Sequence, residues 1–526
     1  MKYKIIKIFF LLFFFLTLLI FKLSRISVNE NLNNSALKQT YYNVEISKIR
    51  GMIYDCNNLP LVGTKKKLFA LVNPRAENFL NILNCAKKDK NIYDKIKQEK
   101  PFIIEIDKKS DYSNIDIFEL PVRSKKEISS LHMVGYVNGE NNGVCGIEKA
   151  YNDFLKSDNK IEVKYKVNAN GKIILNDKYR VIDKLYISNK GIKTSIDKEQ
   201  QCVVEKIARK HIKKGAVIVS EVPNCEIRAC VSLPTFFTKK MCESLEDAES
   251  PFLNRALSSY NVGSIFKLLV AGVYLESGFD KDFPYNCKGY YELSCGRKIH
   301  CFSGKPHGNL DLKNAIAFSC NSYFSRISKE LKPEILLDYA KKLGLGQKTK
   351  LGPDFYGNNG NLPSLKQLED EKNLAIFCFG QGQLLATPIQ IAAFINAIAS
   401  GGYYSPPRIV LGIIDENMKY NPEIFEKSIK CFEKETINSL KDYMLASMEY
   451  GTSAKGQPEN YDAAAKTSTA QTGIFKDGKR ISQFWYAGFY PFKKPKYCIT
   501  IISEGEGENS SPCPKVFKEI VENLRI

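Results

Sequence analysis

The chain has 526 residues, of which 44% are hydrophobic and 25% are charged, with 33 glycines and 21 prolines. That composition is typical of folded globular domains and excludes wholesale disorder and fibrous repeats. Lysine and arginine total 77 against 57 acidic residues, so the formal net charge is +20. The basic residues are spread along the chain without a zinc-finger or phosphate-loop pattern, which argues against nucleic acid and favours anionic lipid or wall polymers.

An apolar segment near the N-terminus predicts a single membrane anchor. The stretch from Ile5 to Leu23 has 19 residues, or about 28 Å of helix, close to the hydrocarbon thickness of about 30 Å. A cleaved signal peptide is the alternative, although no small-residue cleavage site follows. Lysines at Lys2, Lys4 and Lys7 favour a cytoplasmic N-terminus. We therefore expect a single-pass protein of the cell membrane whose larger part is extracellular.

The pattern of polar and apolar residues changes after the anchor and again near residue 200. The expected order is a cytoplasmic start and anchor over residues 1–25, a stalk over 26–44, a mixed domain over 45–195 and a larger domain over 201–526. Alternating apolar residues around a Pro-Asn turn predict a hairpin over Gly215 to Pro234. Further elements are predicted as helices from Ile265 to Leu275, Pro388 to Ser400 and Pro514 to Leu524, and as neighbouring strands from Phe484 to Gly488 and Tyr497 to Ser503. This order indicates an α/β (α+β) domain with an antiparallel sheet flanked by helices.

Ser264 and Lys267 form an S-x-x-K motif at the start of an apolar helix. The spacing places both side chains on one helix face, where a desolvated lysine amine can deprotonate the serine. The same pattern also begins at Ser35, Ser157 and Ser195. Those three lie in polar surroundings, where a solvated lysine stays protonated. An N-cap serine with a chance lysine is the competing structural interpretation of Ser264.

Two further motifs follow in a consistent order. Ser319 and Asn321 form S-x-N within an apolar stretch that is typical of a helix. Lys466, Thr467 and Thr469 form K-T-x-T just before an expected strand, where they could present a cation and two hydroxyls to a cleft.

The three motifs together resemble those of the penicillin-binding transpeptidases, the serine acyltransferases that cross-link peptidoglycan. The N-terminal part resembles the non-catalytic domain of their class B subtype. The stretches that carry this likeness are Pro251 to Lys267, Gly380 to Gly402, Ser510 to Ile520, Ile49 to Leu61 and Gly143 to Leu155. The resemblance implies a non-catalytic dimerisation or pedestal domain before the transpeptidase domain.

The resemblance also implies the roles of the first two motifs. Ser264 attacks the carbonyl between the two terminal D-alanines of a stem peptide and forms an acyl-enzyme. Lys267 takes the serine proton, and Ser319 relays it toward the leaving amine. Asn321 holds Lys267 and the substrate backbone. A second stem peptide's amine then releases the enzyme, and β-lactams block it covalently.

The third motif is expected to bind the substrate's terminal carboxylate through Lys466, Thr467 and Thr469. The backbone N–H groups of Ser264 and Thr469 are expected to form the oxyanion hole.

Three residues depart from the family pattern. Ala465 stands where a glycine usually precedes Lys466, and Val262 stands where a proline usually precedes Gly263. The third is Ser468, which stands where a glycine is usual. Its side chain could narrow the cleft or could be a neutral replacement.

The implied partners are stem peptides ending in D-Ala-D-Ala, β-lactams, the membrane and a lipid II glycosyltransferase, with no nucleic acid. Catalysis of this kind requires no cofactor. A membrane-anchored β-lactam sensor and a structural member of a wall-synthesis complex, both without turnover, are the alternative functions.

Cysteine and histidine concentrate just before Ser319. Fifteen cysteines occur in the chain, and the dense group consists of Cys287, Cys295, Cys301, His307 and Cys320. Three thiolates and an imidazole suit tetrahedral zinc. The expected ligand set is Cys287, Cys301, His307 and Cys320, with Cys295 as a substitute. A disulfide such as Cys295–Cys301 and unrelated free thiols remain alternatives.

Overall fold

A computed structural model describes residues 2–28, 41–74, 91–107, 116–123, 130–168, 173–174, 180–182, 190–236, 241–302, 304–476, 479–506 and 511–524. Most of the expected stalk, including Ser35, lies outside the described residues.

The helices of the described residues vary from single turns to the long N-terminal helix. They are α1 Lys2–Val28, α2 Ile92–Lys97, α3 Leu131–Val134, α4 Gly146–Ala150, α5 Asn152–Leu155, α6 Lys198–His211, α7 Met241–Leu245, α8 Lys267–Glu276, α9 Leu312–Ala317, α10 Asn321–Ile327, α11 Pro333–Lys342, α12 Leu365–Leu368, α13 Glu371–Cys378, α14 Pro388–Ala399, α15 Lys434–Glu449 and α16 Cys513–Asn523.

The strands alternate with these helices along the chain. They are β1 Tyr41–Arg50, β2 Met52–Tyr54, β3 Lys65–Val72, β4 Phe102–Ile106, β5 Ile117–Val122, β6 Lys156–Lys166, β7 Arg180–Ile182, β8 Gly191–Thr194, β9 Gly215–Glu221, β10 Glu226–Leu233, β11 Tyr260–Asn261, β12 Tyr285–Cys287, β13 Tyr290–Glu292, β14 Lys298–His300, β15 Gly308–Leu310, β16 Lys350–Gly352, β17 Phe355–Tyr356, β18 Leu385–Ala386, β19 Tyr403–Tyr404, β20 Val410–Ile414, β21 Tyr420–Pro422, β22 Ile429–Lys430, β23 Ala464–Lys476, β24 Lys479–Tyr490 and β25 Tyr497–Glu506.

The chain divides into two compact units. The first comprises Met1–Arg50, Lys65–Val122 and Ser157–Ser188, and the second comprises Gly51–Thr64, Arg123–Lys156 and Asn189–Ile526. The first unit holds two three-stranded sheets, ordered β1-β6-β7 and β4-β3-β5. The domain boundaries expected from the sequence stay a prediction.

Helix α1 is long and apolar enough to cross a membrane. Its 27 residues give a length of about 40 Å, and none of its side chains is buried against the rest of the described chain. An apolar helix without protein contacts suits lipid as its surroundings. The helix therefore fits a single-pass membrane anchor.

The second unit is built on a five-stranded antiparallel sheet in the order β10-β9-β25-β24-β23. Alternate residues of β9 enter different apolar cores. Ala216 and Ile218 face the larger core, which includes α8 and α14, whereas Val217 and Val219 face a smaller core with α6 and α16. The sheet thus lies between two helical layers, as the sequence predicts.

The hairpin, helices and neighbouring strands predicted for this unit are confirmed. Most of their ends shift by a few residues, whereas β24, Lys479–Tyr490, extends well before the predicted start at Phe484. The hairpin forms from β9 and β10, the apolar helix is α8, and the closing helix is α16. Burial of α8 is nearly complete, from Lys267 through Tyr274. Strand β23 lies at the edge of the sheet, so its outer side has no strand partner in that sheet.

A buried capping box fixes the start of α14. The Thr387 hydroxyl accepts a hydrogen bond from the Gln390 backbone N–H, and the Gln390 side chain accepts one from the Thr387 N–H. The Gln390 amide also donates to the backbone carbonyls of Gly344, Gln347 and Asn359. This pair therefore joins α14 to the loops packed around its start.

We expect Thr387→Ala to lower the free energy of unfolding by about 1 kcal/mol, because a buried N–H loses its acceptor. Urea unfolding followed by the fluorescence of Trp485, the one tryptophan of the chain, measures the change. Ser364→Ala is the matched control, since its capping box serves the short, exposed start of α12. Equal effects of the two variants would contradict a stabilising role for the buried capping box of α14.

Candidate active site

Ser264 lies in a sharp turn that leads directly into α8. It is the second residue of a 3-10 helix, Gly263–Phe266, which continues into Lys267. Gly263 has a φ of +61°, and a Cβ there would meet the Ser468 hydroxyl oxygen at 2.2 Å. Only glycine satisfies both conditions. The Gly263 N–H donates to the Gly380 carbonyl at 2.8 Å, which fixes the turn against the start of the Gly380 to Gly402 stretch.

Lys267 is fully buried one helical turn after Ser264. Its Nζ donates to the Ser319 carbonyl at 2.7 Å, to the Ser319 hydroxyl at 3.3 Å and to Asn321 Oδ1 at 2.8 Å. Burial lowers the pKa of this amine to about 7. A substantial fraction of Lys267 is then neutral near pH 7 and able to accept a proton.

The S-x-N motif lies at a break between α9 and α10. The sequence predicts helical surroundings for the motif, and the structure has a helix on each side of it with an interruption between them. Ser319 has a φ of +57°, in the left-handed region, and the Cys320 sulfur caps α10 by accepting from the Tyr323 N–H at 3.4 Å. The break directs the Ser319 carbonyl and hydroxyl and the Asn321 amide toward Lys267.

The K-T-x-T motif lies within strand β23 and not before a strand. Lys466 and Ser468 are buried on one face, whereas Thr467 and Thr469 are partly exposed on the other. The Lys466 Nζ donates to Thr452 Oγ1 at 3.3 Å and to the Thr467 carbonyl at 3.0 Å. Burial, followed by repulsion from Lys267, holds the pKa of Lys466 well below its usual range.

The structure brings these motifs to one cleft. Its walls include Ser264, Ser319, Asn321, Thr467 and Thr469. No hydrogen bond joins the Ser264 hydroxyl to Lys267 among the described residues, and such contacts often tighten only when substrate binds.

Thr452 is a further residue of the site that no sequence motif indicates. Its hydroxyl contacts both Lys466 Nζ and the Thr467 hydroxyl, the latter at 2.8 Å. It lies outside every recognised motif, so only the fold identifies it.

The expected oxyanion donor of Ser264 is engaged by a side chain. The Ser264 N–H donates to the Ser468 hydroxyl at 2.8 Å, and that hydroxyl donates to the Val262 carbonyl at 2.9 Å. Ser468 is 4% exposed. Its side chain therefore points at the backbone of the Ser264 turn and away from the side of β23 that carries Thr467 and Thr469.

Cys287, Cys301, His307 and Cys320 form a compact cluster beside the cleft, with all four ligand atoms within 4.8 Å of one another. The Cys301 sulfur lies 3.8 Å from the sulfurs of both Cys287 and Cys320, and the Cys287 sulfur lies 3.4 Å from His307 Nδ1. The hydrogen bond from Cys320 holds the pKa of the Cys301 thiol well below its usual range. The cluster thus favours a thiolate.

The alternative of a Cys295–Cys301 disulfide is wrong for this structure. Cys295 is exposed in the turn between β13 and β14, while Cys301 is buried. The thirteen cysteines whose side chains the structure describes are all free thiols. Cys295 also lies outside the four-residue cluster and does not substitute for any of its members.

Comparison with known proteins agrees with this geometry. The family described as the penicillin binding protein transpeptidase domain matches residues 215–522, more than half of the chain. Stage V sporulation protein D of Bacillus subtilis is 28% identical over 70% of this chain, and peptidoglycan D,D-transpeptidase FtsI of Escherichia coli is 23% identical over 70%. The matches span 58% and 60% of the lengths of those two relatives.

Solved structures share the fold. Penicillin-binding protein PBP2 of Helicobacter pylori, in its complex with MreC, superposes with a TM-score of 0.67 at 22% identity, covering 92% of this chain and 99% of that one. At this identity the likeness concerns the fold alone. The family match, the named relatives and this shared fold together show that the chain belongs to the penicillin-binding protein transpeptidases, in their class B.

Proposed function

We propose that the protein is a serine-type peptidoglycan D,D-transpeptidase that forms peptide cross-links through an acyl-enzyme and is inhibited covalently by β-lactams. The observation that carries the proposal is the buried Lys267 amine, which lies one helical turn after Ser264 and is held by Ser319 and Asn321. The name of the Escherichia coli relative supports the same reaction. Acyl transfer in this family needs no cofactor.

In the proposed first step, Ser264 Oγ attacks the carbonyl carbon of the penultimate D-alanine as its proton passes to neutral Lys267. The N–H groups of Ser264 and Thr469 stabilise the negative charge that develops on the carbonyl oxygen. The C–N bond then breaks, and the terminal D-alanine leaves after its amine receives a proton through Ser319. Ser264 remains bonded to the stem peptide as an ester.

In the second step the amine of another stem peptide attacks this ester. The new amide forms, and Ser264 recovers its proton through Lys267. A β-lactam reacts with Ser264 in the same way, but its leaving amine stays tethered to the acyl group. The tethered amine blocks the second nucleophile, which explains covalent inhibition.

Substrate binding is assigned to the edge strand. The ammonium of Lys466 and the hydroxyls of Thr467 and Thr469 suit a terminal carboxylate, because a charged or polar donor stabilises an anion strongly in a buried cleft. The lowered pKa of Lys466 fits this role, since an arriving carboxylate favours its protonated form. Thr452 orients both Lys466 and Thr467.

The proposed function also includes a membrane orientation, a non-catalytic domain and a protein partner. Lysines before the apolar part of α1 favour a cytoplasmic N-terminus, with the catalytic domain, residues 201–526, outside the membrane. We assign residues 45–195 to a non-catalytic domain. Cross-linking acts on glycan strands that a polymerase has to supply, so we include a lipid II glycosyltransferase as a partner.

We also propose that the Cys287, Cys301, His307 and Cys320 cluster binds a structural zinc ion. Tetrahedral zinc with Zn–S bonds of about 2.3 Å separates its sulfur ligands by about 3.8 Å, and both sulfur separations through Cys301 are 3.8 Å. Zinc would join the loop around Cys287 to the start of α10. The ion would then stabilise the position of the S-x-N motif.

Ser264→Ala should reduce covalent labelling of the full-length protein by fluorescent penicillin to background, because the nucleophile is lost. Ser195→Ala is the matched control from another S-x-x-K motif. The sequence predicts polar surroundings for Ser195, but its side chain is buried. Its hydroxyl shares one proton between the Ile227 and Arg408 carbonyls, 2.9 and 2.7 Å away. This is a structural role, so labelling should persist. Labelling of the Ser264 variant at any other serine would refute the assignment.

The acylation rate should rise with pH and level off above about pH 7. The pKa of Lys267 is lowered to about 7, and only the neutral amine, present above that pKa, accepts the serine proton. Penicillin acylation rates across the pH range, with circular dichroism to confirm an unchanged fold, measure this dependence. An inflection near the ordinary lysine pKa would rule out the buried amine as base.

Full-length protein purified without chelator should contain about one zinc per chain. His307→Ala should lose most of it and unfold about 5 °C lower, because the ligand set becomes incomplete. Cys295→Ala should keep the metal and the unfolding temperature. Elemental analysis that finds far less than one equivalent in the unaltered protein would end the zinc proposal.

A further inference from the structure

The hydroxyl of Ser468 makes two hydrogen bonds whose directions are fixed by chemistry. A backbone carbonyl can only accept, so the hydroxyl donates its single proton to Val262. A backbone N–H can only donate, so the oxygen of Ser468 accepts from Ser264. The side chain therefore spans the residues on either side of Gly263 and acts as an acceptor toward the nucleophile.

The Ser468 hydroxyl occupies the Ser264 N–H, a donor that catalysis requires to be unoccupied. In the proposed mechanism the Ser264 N–H binds the oxygen of the scissile carbonyl, yet in the resting enzyme it already has a partner at 2.8 Å. One N–H cannot direct full-strength hydrogen bonds at two acceptors, because the energy falls steeply as the angle departs from linear. An incoming carbonyl must therefore share the donor with Ser468 or displace it.

Close packing keeps the hydroxyl in place. Ser468 is 4% exposed, and the space beside Gly263 is so restricted that an added Cβ would approach the hydroxyl oxygen to 2.2 Å. Two other contacts hold the same turn against the sheet. Trp485 donates to the Asn261 carbonyl at 2.8 Å, and the Asn261 N–H donates to the Gln483 side chain at 2.9 Å.

We propose that the Ser468 hydroxyl is an internal competitor for the oxyanion hole, which slows acylation of Ser264 by every acyl donor to a similar extent. This inference rests on the proposed transpeptidase function. The neutral carbonyl of a bound substrate competes poorly with a hydroxyl already in place. An oxyanion competes better, because hydrogen bonds to charged acceptors are stronger. The competition therefore acts on the chemical step more than on substrate binding.

The test uses Ser468→Ala and Ser468→Gly in the full-length protein, with one small and one bulky β-lactam. The alanine variant keeps a Cβ and removes only the hydroxyl. Both variants should raise the acylation rate constant by about tenfold, equivalent to about 1.4 kcal/mol, with unchanged dissociation constants for the preceding non-covalent complex. The factor should be the same for both compounds.

A peptidyl boronic acid gives a second measurement, because its tetrahedral adduct with Ser264 places an oxygen in the oxyanion hole. Its affinity should rise by a similar factor in both variants. Thr500→Val is the matched control, since Thr500 is a buried hydroxyl two strands away in the same sheet and has no hydrogen-bond partner among the described residues. It should leave rates and affinities unchanged.

Two results would overturn the inference. Slower acylation in both variants would mean that the hydroxyl positions Ser264 for attack. Faster acylation in Ser468→Gly alone, and only with the bulky compound, would mean that the side chain crowds the cleft. Failure of the unaltered protein to be labelled at Ser264 would instead refute the proposed function, which keeps the two failures distinguishable.

Discussion

The fully buried amine of Lys267 is the constraint around which the catalytic unit is arranged. Removing an ammonium group from water is costly, and the partners of this one are uncharged oxygens of Ser319 and Asn321. Lys466, buried in the same region, adds repulsion when both amines are charged. The structure therefore favours a neutral amine beside a serine. Three separate segments, the Ser264 turn, the break before α10 and strand β23, have to be positioned together to create that environment.

Backbone geometry, more than side-chain charge, positions these segments. The Ser264 turn is held through main-chain groups of four consecutive residues, Asn261 to Ser264. Their partners include Gln483, Ser468 and Gly380, and Ser468 bonds to both Val262 and Ser264. The break before α10 depends on the left-handed conformation of Ser319 and on the capping sulfur of Cys320. Because Cys320 is also a member of the thiol and imidazole cluster, the conformation of the motif and the chemistry of that cluster are linked through one residue.

The sequence predicted the features that depend on local periodicity. The apolar helix α8, the alternating hairpin of β9 and β10 and the span of helix α14 are each specified within a dozen or so neighbouring residues. The break at Ser319 could not be predicted in this way, because its stretch has helical periodicity. The lysine that bonds to Ser319 and Asn321 comes from a segment distant in the sequence. Thr452 belongs to no motif, and its role depends on a loop that packs against β23. The sequence shows that Ser468 replaces the glycine usual in the family. The direction of its side chain follows from the strand, because residues two apart, such as Lys466 and Ser468, lie on the same face.

Strand β23 also has a consequence for the solution behaviour of the protein. A long strand at the edge of a sheet offers unsatisfied main-chain groups, and natural proteins protect such edges against pairing with a second copy. An ionisable side chain that points inward from an edge strand is one such protection, and Lys466 occupies that position. The lysine that is assigned to bind substrate thus also disfavours a continuous intermolecular sheet. Strand β23 has to remain open to an extended substrate peptide. Lys466 helps to keep the protein soluble, because it makes a strand from a second copy of the protein a poor partner for that edge.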